Sequence, residues 1–191
     1  MKTSIEAIQL LIDLLDQLGI EYMLVSSLSS NFYGVARATK DADFVVSLQS
    51  EQWRALLARL PDDFRVDPQR SFETVTLTTR RIIELPSLPF TIELFDLSDD
   101  EHDQLRFRRR LKVTTMGRLV DLPTPEDVVV QKLRWCRGSR RGKDYSDVVE
   151  VLAVQGGILD FEYIELWCVK HGTSDILAQA MSDAAVSDGE A

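Results

Sequence analysis

Cysteine and histidine are almost absent from this 191-residue chain, which has only Cys136, Cys168, His102 and His171. Two His and two Cys so widely scattered leave no zinc-ligand set. Two lone cysteines read as reduced packing residues rather than a disulfide. His102 and His171 lie in polar surroundings and read as solvated. No apolar run approaches the ~18 residues of a membrane span. The opening MKTSIEAIQL lacks the basic-then-apolar pattern of a signal peptide. The expectation is a cytoplasmic protein that does not engage membranes. Catalytic glycine motifs are also missing: there is no G-x-S-x-G and no G-x-G-x-x-G. GSRRGKD falls short of a P-loop, with three residues between its glycines instead of four, Asp where Ser or Thr belongs, and no strand before it. Aromatics make up only 8%. Trp53, Trp135 and Trp167 sit among aliphatics at helical spacing, as core or rim residues do, rather than as a base-stacking platform.

What is present is a foldable acidic chain. Apolar residues make up 45%, enough for a packed core, and 31 Asp and Glu against 22 Lys and Arg give a net charge of −9. That charge excludes a protein that coats nucleic acid indiscriminately. It is unevenly spread. From Arg106 to Lys143 there are 12 basic residues and three acids, or +9, which leaves −18 for the rest of the chain. The positive middle is the expected docking stretch for a triphosphate and a polyanionic acceptor, and an RNA-binding module is one reading of it.

Periodicity and punctuation predict an α+β fold: a mixed β-sheet flanked by helices, then a small C-terminal helical module. Thr3 and Glu6 form a capping-box pair ahead of an apolar helical stripe that Gly19 ends. IEYMLV at 20–25 reads as a buried strand, LSSNFYG as a short helix, DADFVVSL at 41–48 as a strand and 50–60 as a helix. Strands are expected at 74–79, 81–85 and 90–97, a helix over 99–110, and a hairpin about Met116-Gly117. Thr124-Pro125-Glu126-Asp127 is a helix start with N-cap, N1 proline and first-turn acids. Helices follow over 125–137, 143–155, 160–171 and 173–184. The expected division is a core at 1–123, a helical module at 124–185 and a frayed tail at 186–191.

Asp41 and Asp43 stand at i and i+2 of a predicted strand, so both carboxylates project from one face. Such a pair is either a solvated strand end or the two anions that a hard divalent cation bridges. Ser26-Ser27 ends a strand and opens a helix, which makes it an ordinary cap or a phosphate cradle. Glu93 lies within the apolar strand FTIELFDL, as a third carboxylate beside the pair or as part of a half-exposed face. Asp96, on the opposite face, is its rival. Arg37 either serves phosphate or pairs with Asp41 or Asp43. Lys132 is a helix-surface residue or a functional one, and Asp147 can pair with Arg141 or Lys143.

LVSSLSSNFYGVARATKDADFVV resembles the signature of DNA polymerase β-type nucleotidyltransferases: a small-residue pair after a strand, about ten residues, then Asp-x-Asp. GVARATKDAD is similar to the Gly-x-x-Arg-x-Thr-x-Asp-x-Asp version of the small bacterial branch. FTIELFDLSDD resembles its third-carboxylate strand and RFRRRLKV its basic turn. LPTPEDVVVQKLRW with DYSDVVEVLAVQG resembles the C-terminal helices of AbiEii-type enzymes. The resemblance runs from about Tyr22 to Trp167. It implies that Asp41, Asp43 and Glu93 hold Mg2+ or Mn2+, or that Glu93 draws the proton from the attacking hydroxyl. It implies that Ser26 and Ser27 hold the triphosphate of an NTP substrate, with Arg37, Lys132 and Asp147 at the nucleotide. The implied activity is NMP transfer from an NTP to a hydroxyl of a protein, an RNA such as tRNA, or a small molecule. A toxin–antitoxin or defence role, with a cognate antitoxin or partner protein, is part of the same implication. Ser26 stands where the family usually has Gly, and Glu93 where it has Asp. The competing readings are a catalytically decayed member acting as a binding or regulatory protein, and the RNA-binding module.

Overall fold

The computed structural model describes residues 3–69, 71–73, 75, 78–137 and 142–188. In chain order the elements are α1 (Ser4–Gln17), β1 (Glu21–Val25), α2 (Ser26–Tyr33), β2 (Asp41–Ser47), α3 (Ser50–Leu57), β3 (Arg65–Val66), β4 (Ser71–Glu73), β5 (Thr78–Leu85), β6 (Phe90–Asp96), α4 (Glu101–Arg109), β7 (Leu111–Thr115), β8 (Arg118–Leu122), α5 (Pro125–Cys136), α6 (Gly142–Gln155), α7 (Phe161–His171) and α8 (Ser174–Asp188). Two compact units emerge. One comprises Met1–Val25 and Thr39–Leu122, the other Ser26–Ala38 and Pro123–Ala191. Residues 26–38 thus belong with the C-terminal helices despite lying between β1 and β2 in the chain.

The first unit is a mixed sheet of order β1-β2-β6-β5-β3, with β4 also on β5. β2 and β6 run parallel; the other pairs are antiparallel. Phe44, Leu24, Ile92, Leu94 and Ile83 are fully buried in its core. α1 is capped as its sequence requires, with Thr3 Oγ1 accepting from the Glu6 N–H at 3.1 Å, and it buries Ala7, Ile8, Leu11, Ile12 and Leu15. The β7–β8 hairpin turns through Met116 (φ +50°) and Gly117 (φ +74°), the two left-handed residues that a twist-matched two-residue turn demands. Arg118 ties it to α1 through Asp13 at 2.6 Å and Asp16 at 3.1 Å.

The two strands predicted over 74–79 and 81–85 meet a different arrangement. β5 is continuous from Thr78 to Leu85, and positions 74, 76 and 77 lie outside the described residues. The Arg80-Arg81 step does not break it because each guanidinium finds a carboxylate on β6, Glu93 on one face and Asp96 on the other. Arg81 also stacks on Trp53 at 5.0 Å. β3 and β4 were not predicted. They are two and three residues long, too short to carry periodicity, and exist by pairing with β5.

In the second unit, α5 is buried almost all round, including Glu126, Asp127, Gln131 and Lys132. Thr124 caps it as expected. Gly34 closes α2 where the chain passes tightly along α6: a Cβ there would stand 3.2 Å from the Ser30 carbonyl and 3.3 Å from the Val151 nitrogen. α8 is helical to Asp188, three residues into the tail expected to be frayed over 186–191, and 189–191 lie outside the described residues. Cys136 and Cys168 are buried thiols, in line with the packing role expected of them. His102 is a correction: expected in solvent, it is fully buried, because the fold turns that face of α4 inward. Among the described residues no helix is long and apolar enough to cross a membrane.

Candidate active site

In the sheet unit, the parallel β2–β6 register sets Asp41 opposite Thr91 and Asp43 opposite Glu93. Directly paired residues share a sheet face, so Asp41, Asp43 and Glu93 all stand on one, and all are half-buried. Asp96 stands on the other face, where Arg81 and the Thr79 hydroxyl (2.5 Å) hold it. The Asp41 Oδ1 accepts from the Thr39 hydroxyl at 2.5 Å, and Glu93 Oε2 accepts from Arg80 Nη1 at 2.8 Å. Three carboxylates are the donor chemistry of a hard divalent cation, so the residue types fit Mg2+ or Mn2+. Among the described residues, no group of three His, Cys, Asp or Glu side chains is gathered closely enough to hold a metal. Glu93 is engaged by Arg80 instead.

Val25, the last residue of β1, pairs with Asp43, and the next residue is Ser26. Ser26 has φ +56°, the left-handed conformation that costs an L-residue about 1–2 kcal/mol and that glycine takes freely. The position therefore keeps a glycine-like backbone under a serine side chain. Its Oγ is buried, with no hydrogen-bond partner among the described residues. The Ser26 carbonyl is bonded by the Ser29 (2.9 Å) and Ser30 (3.2 Å) hydroxyls, which pin the first turn of α2. A left-handed residue leading into a helix aims successive N–H groups outward, as anion-binding turns do.

In the helical unit, Arg37, Lys132 and Asp147 come together. Asp147 accepts from Arg37 Nε and Nη2, both at 2.8 Å, from Lys132 Nζ at 2.6 Å and from Ser30 Oγ at 3.0 Å. Lys132 also donates to Asp144 at 2.8 Å, and Arg37 Nη2 to Ser27 Oγ at 3.1 Å. Burial pushes the Asp147 carboxyl upward, but its bonds from Arg37 and Lys132 outweigh that and hold it below the usual range. The hydrogen bonds to Asp147 correspondingly raise Arg37. Arg37 thus takes Asp147 as its partner. Lys132 is only 2% exposed, which removes the helix-surface reading. Asp147 takes Arg37 and Lys132 where a pair with Lys143 was expected, and Arg141 lies outside the described residues. Ser30, Asp144 and Thr39 were missed because short polar residues in a helix or loop carry no spacing signal of their own.

The positive stretch is less positive than its composition. Arg106 is buried against Asp103, Arg110 pairs with Glu21, Arg118 with Asp13 and Asp16, and Lys132 with Asp144 and Asp147. Those partners come from outside the stretch or beyond its last base; within it, Asp121 takes Lys112 at 3.1 Å and Arg110 Nε at 3.9 Å. The +9 count therefore overstates what it offers a polyanion; Arg140 and Arg141 lie outside the described residues. Trp167 is buried, while Trp53 and Trp135 are half-buried beneath Arg81 and Lys132, in rim positions.

The family model described as "Nucleotidyl transferase AbiEii toxin, Type IV TA system" matches residues 26–189. No curated protein matches the chain. Among solved structures, the chain is similar to an antigenic nucleotidyltransferase-like protein from Paracoccidioides brasiliensis (TM-score 0.60, 20% identity, covering 94% of this chain and 92% of that one). It is also similar to the antibiotic-resistance factor ANT(2'')-Ia (TM-score 0.62, 11% identity, 94% and 97%) and to the lincosamide antibiotic adenylyltransferase LnuA (TM-score 0.53, 10% identity, 80% and 98%). At such identities these likenesses establish the fold. With the family match spanning both units, the chain belongs to the AbiEii nucleotidyl transferase family and is a nucleotidyltransferase.

Proposed function

We propose that this protein moves an NMP from an NTP to a hydroxyl acceptor with the help of a divalent cation, Mg2+ or Mn2+, and that it works in the cytoplasm as the toxin partner of a cognate antitoxin. The observation that carries the reading is the register of β1, β2 and β6, which aligns Val25, Asp43 and Glu93 across neighbouring strands with Asp41 on the same face. Asp41, Asp43 and Glu93 are the residues that would hold the cation. When bound, it neutralises charge on the attacking and leaving oxygens of an in-line displacement at the α-phosphorus. In that displacement the acceptor oxygen bonds to phosphorus, the bond to pyrophosphate breaks, and a carboxylate of the trio takes the hydroxyl proton. Ser26, through its left-handed backbone, and Ser27, at the start of α2, offer N–H groups to the triphosphate. Arg37 supplies positive charge beside Ser27. Lys132 and Asp147 act as positioning residues: both are buried, and their bonds fix the guanidinium that orients the Ser27 hydroxyl. The toxin role rests on the family description.

The test is transfer of label from each α-³²P-NTP, with Mg2+ or Mn2+, to tRNA, to cellular protein, to the protein itself and to small hydroxylic acceptors. Label on any acceptor with the wild type, and background with Asp41→Asn or Asp43→Asn at unchanged melting temperature, is the expected result. No label from any NTP on any acceptor, or full activity in Asp43→Asn, overturns the reading.

A further inference from the structure

On the sheet face that carries Asp41, Asp43 and Glu93, the basic side chain of Arg80 is set directly against one of the three. β5 sets Arg80 opposite Phe95 and Ile82 opposite Glu93, so Arg80 reaches Glu93 along the diagonal of one face. Its Nη1 donates to Glu93 Oε2 at 2.8 Å. Its Nε is anchored on the Ser71 hydroxyl of β4 at 2.9 Å, and the guanidinium lies 6.0 Å from the Phe95 ring. The cation is therefore seated by three neighbours and is still one-third exposed, with Glu93 one-fifth exposed.

We infer that Arg80 is a built-in counter-ion of the carboxylate face, which a divalent cation must displace from Glu93 before that residue can serve as a ligand. The inference rests on the cation-dependent reading above. Two positive charges on one carboxylate repel, which sets up a competition between cation and guanidinium. It is relieved only by moving the guanidinium, which its partial exposure and single-hydroxyl anchor permit. The displaced guanidinium is then left needing an anion. The cation that arrives with a polyphosphate brings one, so the face takes up cation with nucleotide in preference to bare cation.

The test is Mn2+ titration of the full-length protein without nucleotide, reading free Mn2+ by its electron paramagnetic resonance signal. Arg80→Gln should bind Mn2+ about tenfold more tightly than wild type. Ser71→Ala, which removes only the Nε anchor, should shift affinity the same way by a smaller factor. Arg80→Lys, which keeps the charge, should stay near wild type. Unchanged or weaker Mn2+ binding in Arg80→Gln and Ser71→Ala, with binding still lost in Asp43→Asn, overturns the counter-ion role alone. Equal Mn2+ binding in wild type and Asp43→Asn overturns the carboxylate reading and this inference with it.

Discussion

Replacing Asp147 by Asn keeps the side-chain volume but puts an amide among donors. Arg37 offers Nε and Nη2, Lys132 offers Nζ and Ser30 its hydroxyl, all to the two carboxylate oxygens. Removing one partner of a fully buried ion pair costs about 3–5 kcal/mol. Here the cost is reduced, because Lys132 keeps Asp144 and the Arg37 side chain is 28% exposed and can recover water. A loss of about 2–3 kcal/mol is expected at pH 7. For a chain of this size that lowers the melting temperature by about 4–12 °C. Urea unfolding followed by tryptophan fluorescence and circular dichroism measures it. The pH dependence has a definite sign. Because the folded Asp147 pKa is depressed, its contribution is fully present above the unfolded carboxylate value of about 3.9. It is lost as pH falls from there through the lower folded value. The gap between wild type and Asp147→Asn should therefore be full at pH 7 and close under acid. A gap below about 0.5 kcal/mol at pH 7, or one that persists undiminished in acid, would refute the buried-network account.

Other consequences can be checked in the same way. Ser26→Gly should leave stability unchanged or raise it slightly, since glycine removes a left-handed cost of about 1–2 kcal/mol and loses part of that gain to unfolded-chain entropy, whereas Ser26→Val should unfold more readily by thermal scan. Gly34→Ala should destabilise by about 1–2 kcal/mol in urea, because the new Cβ meets backbone atoms of α2 and α6 that cannot swing aside. Tyr33, whose hydroxyl donates to the Pro123 carbonyl at 2.8 Å, is pushed up to about 12 by burial and then by the charges of Glu126 and Asp127. Its neutral form is favoured in the fold, so stability should fall as pH rises from about 10 to 12, and Tyr33→Phe should lessen that fall, to which Tyr22 and Tyr145 also contribute, while costing about 1–2 kcal/mol at neutral pH.

Much of this protein is legible in one dimension. Elements bounded by caps, prolines and glycines, such as α1 behind Thr3, α5 behind Thr124-Pro125 and the Met116-Gly117 hairpin, follow from local physics: their signals lie within a few residues of the structure they specify. The same holds for Asp41 and Asp43, whose shared face is a consequence of strand periodicity alone. The unusual residue at position 26 could be read as a departure from the family's glycine, though its left-handed backbone could not. What required the tertiary structure were partners distant in sequence. Asp43 meets Glu93 only through a parallel ladder spanning 50 residues of chain. Lys132, Asp147 and Arg37 become a buried network only because α2, inserted between two strands in sequence, belongs with the C-terminal helices. The basic stretch looked like a docking surface while charges were counted along the chain. Folding brings acids from elsewhere against those bases, and Coulomb attraction acts on distance in space. Sequence by itself determined the family, the carboxylate strand and the helix starts; pairing across the fold decided which of its charges neutralise one another.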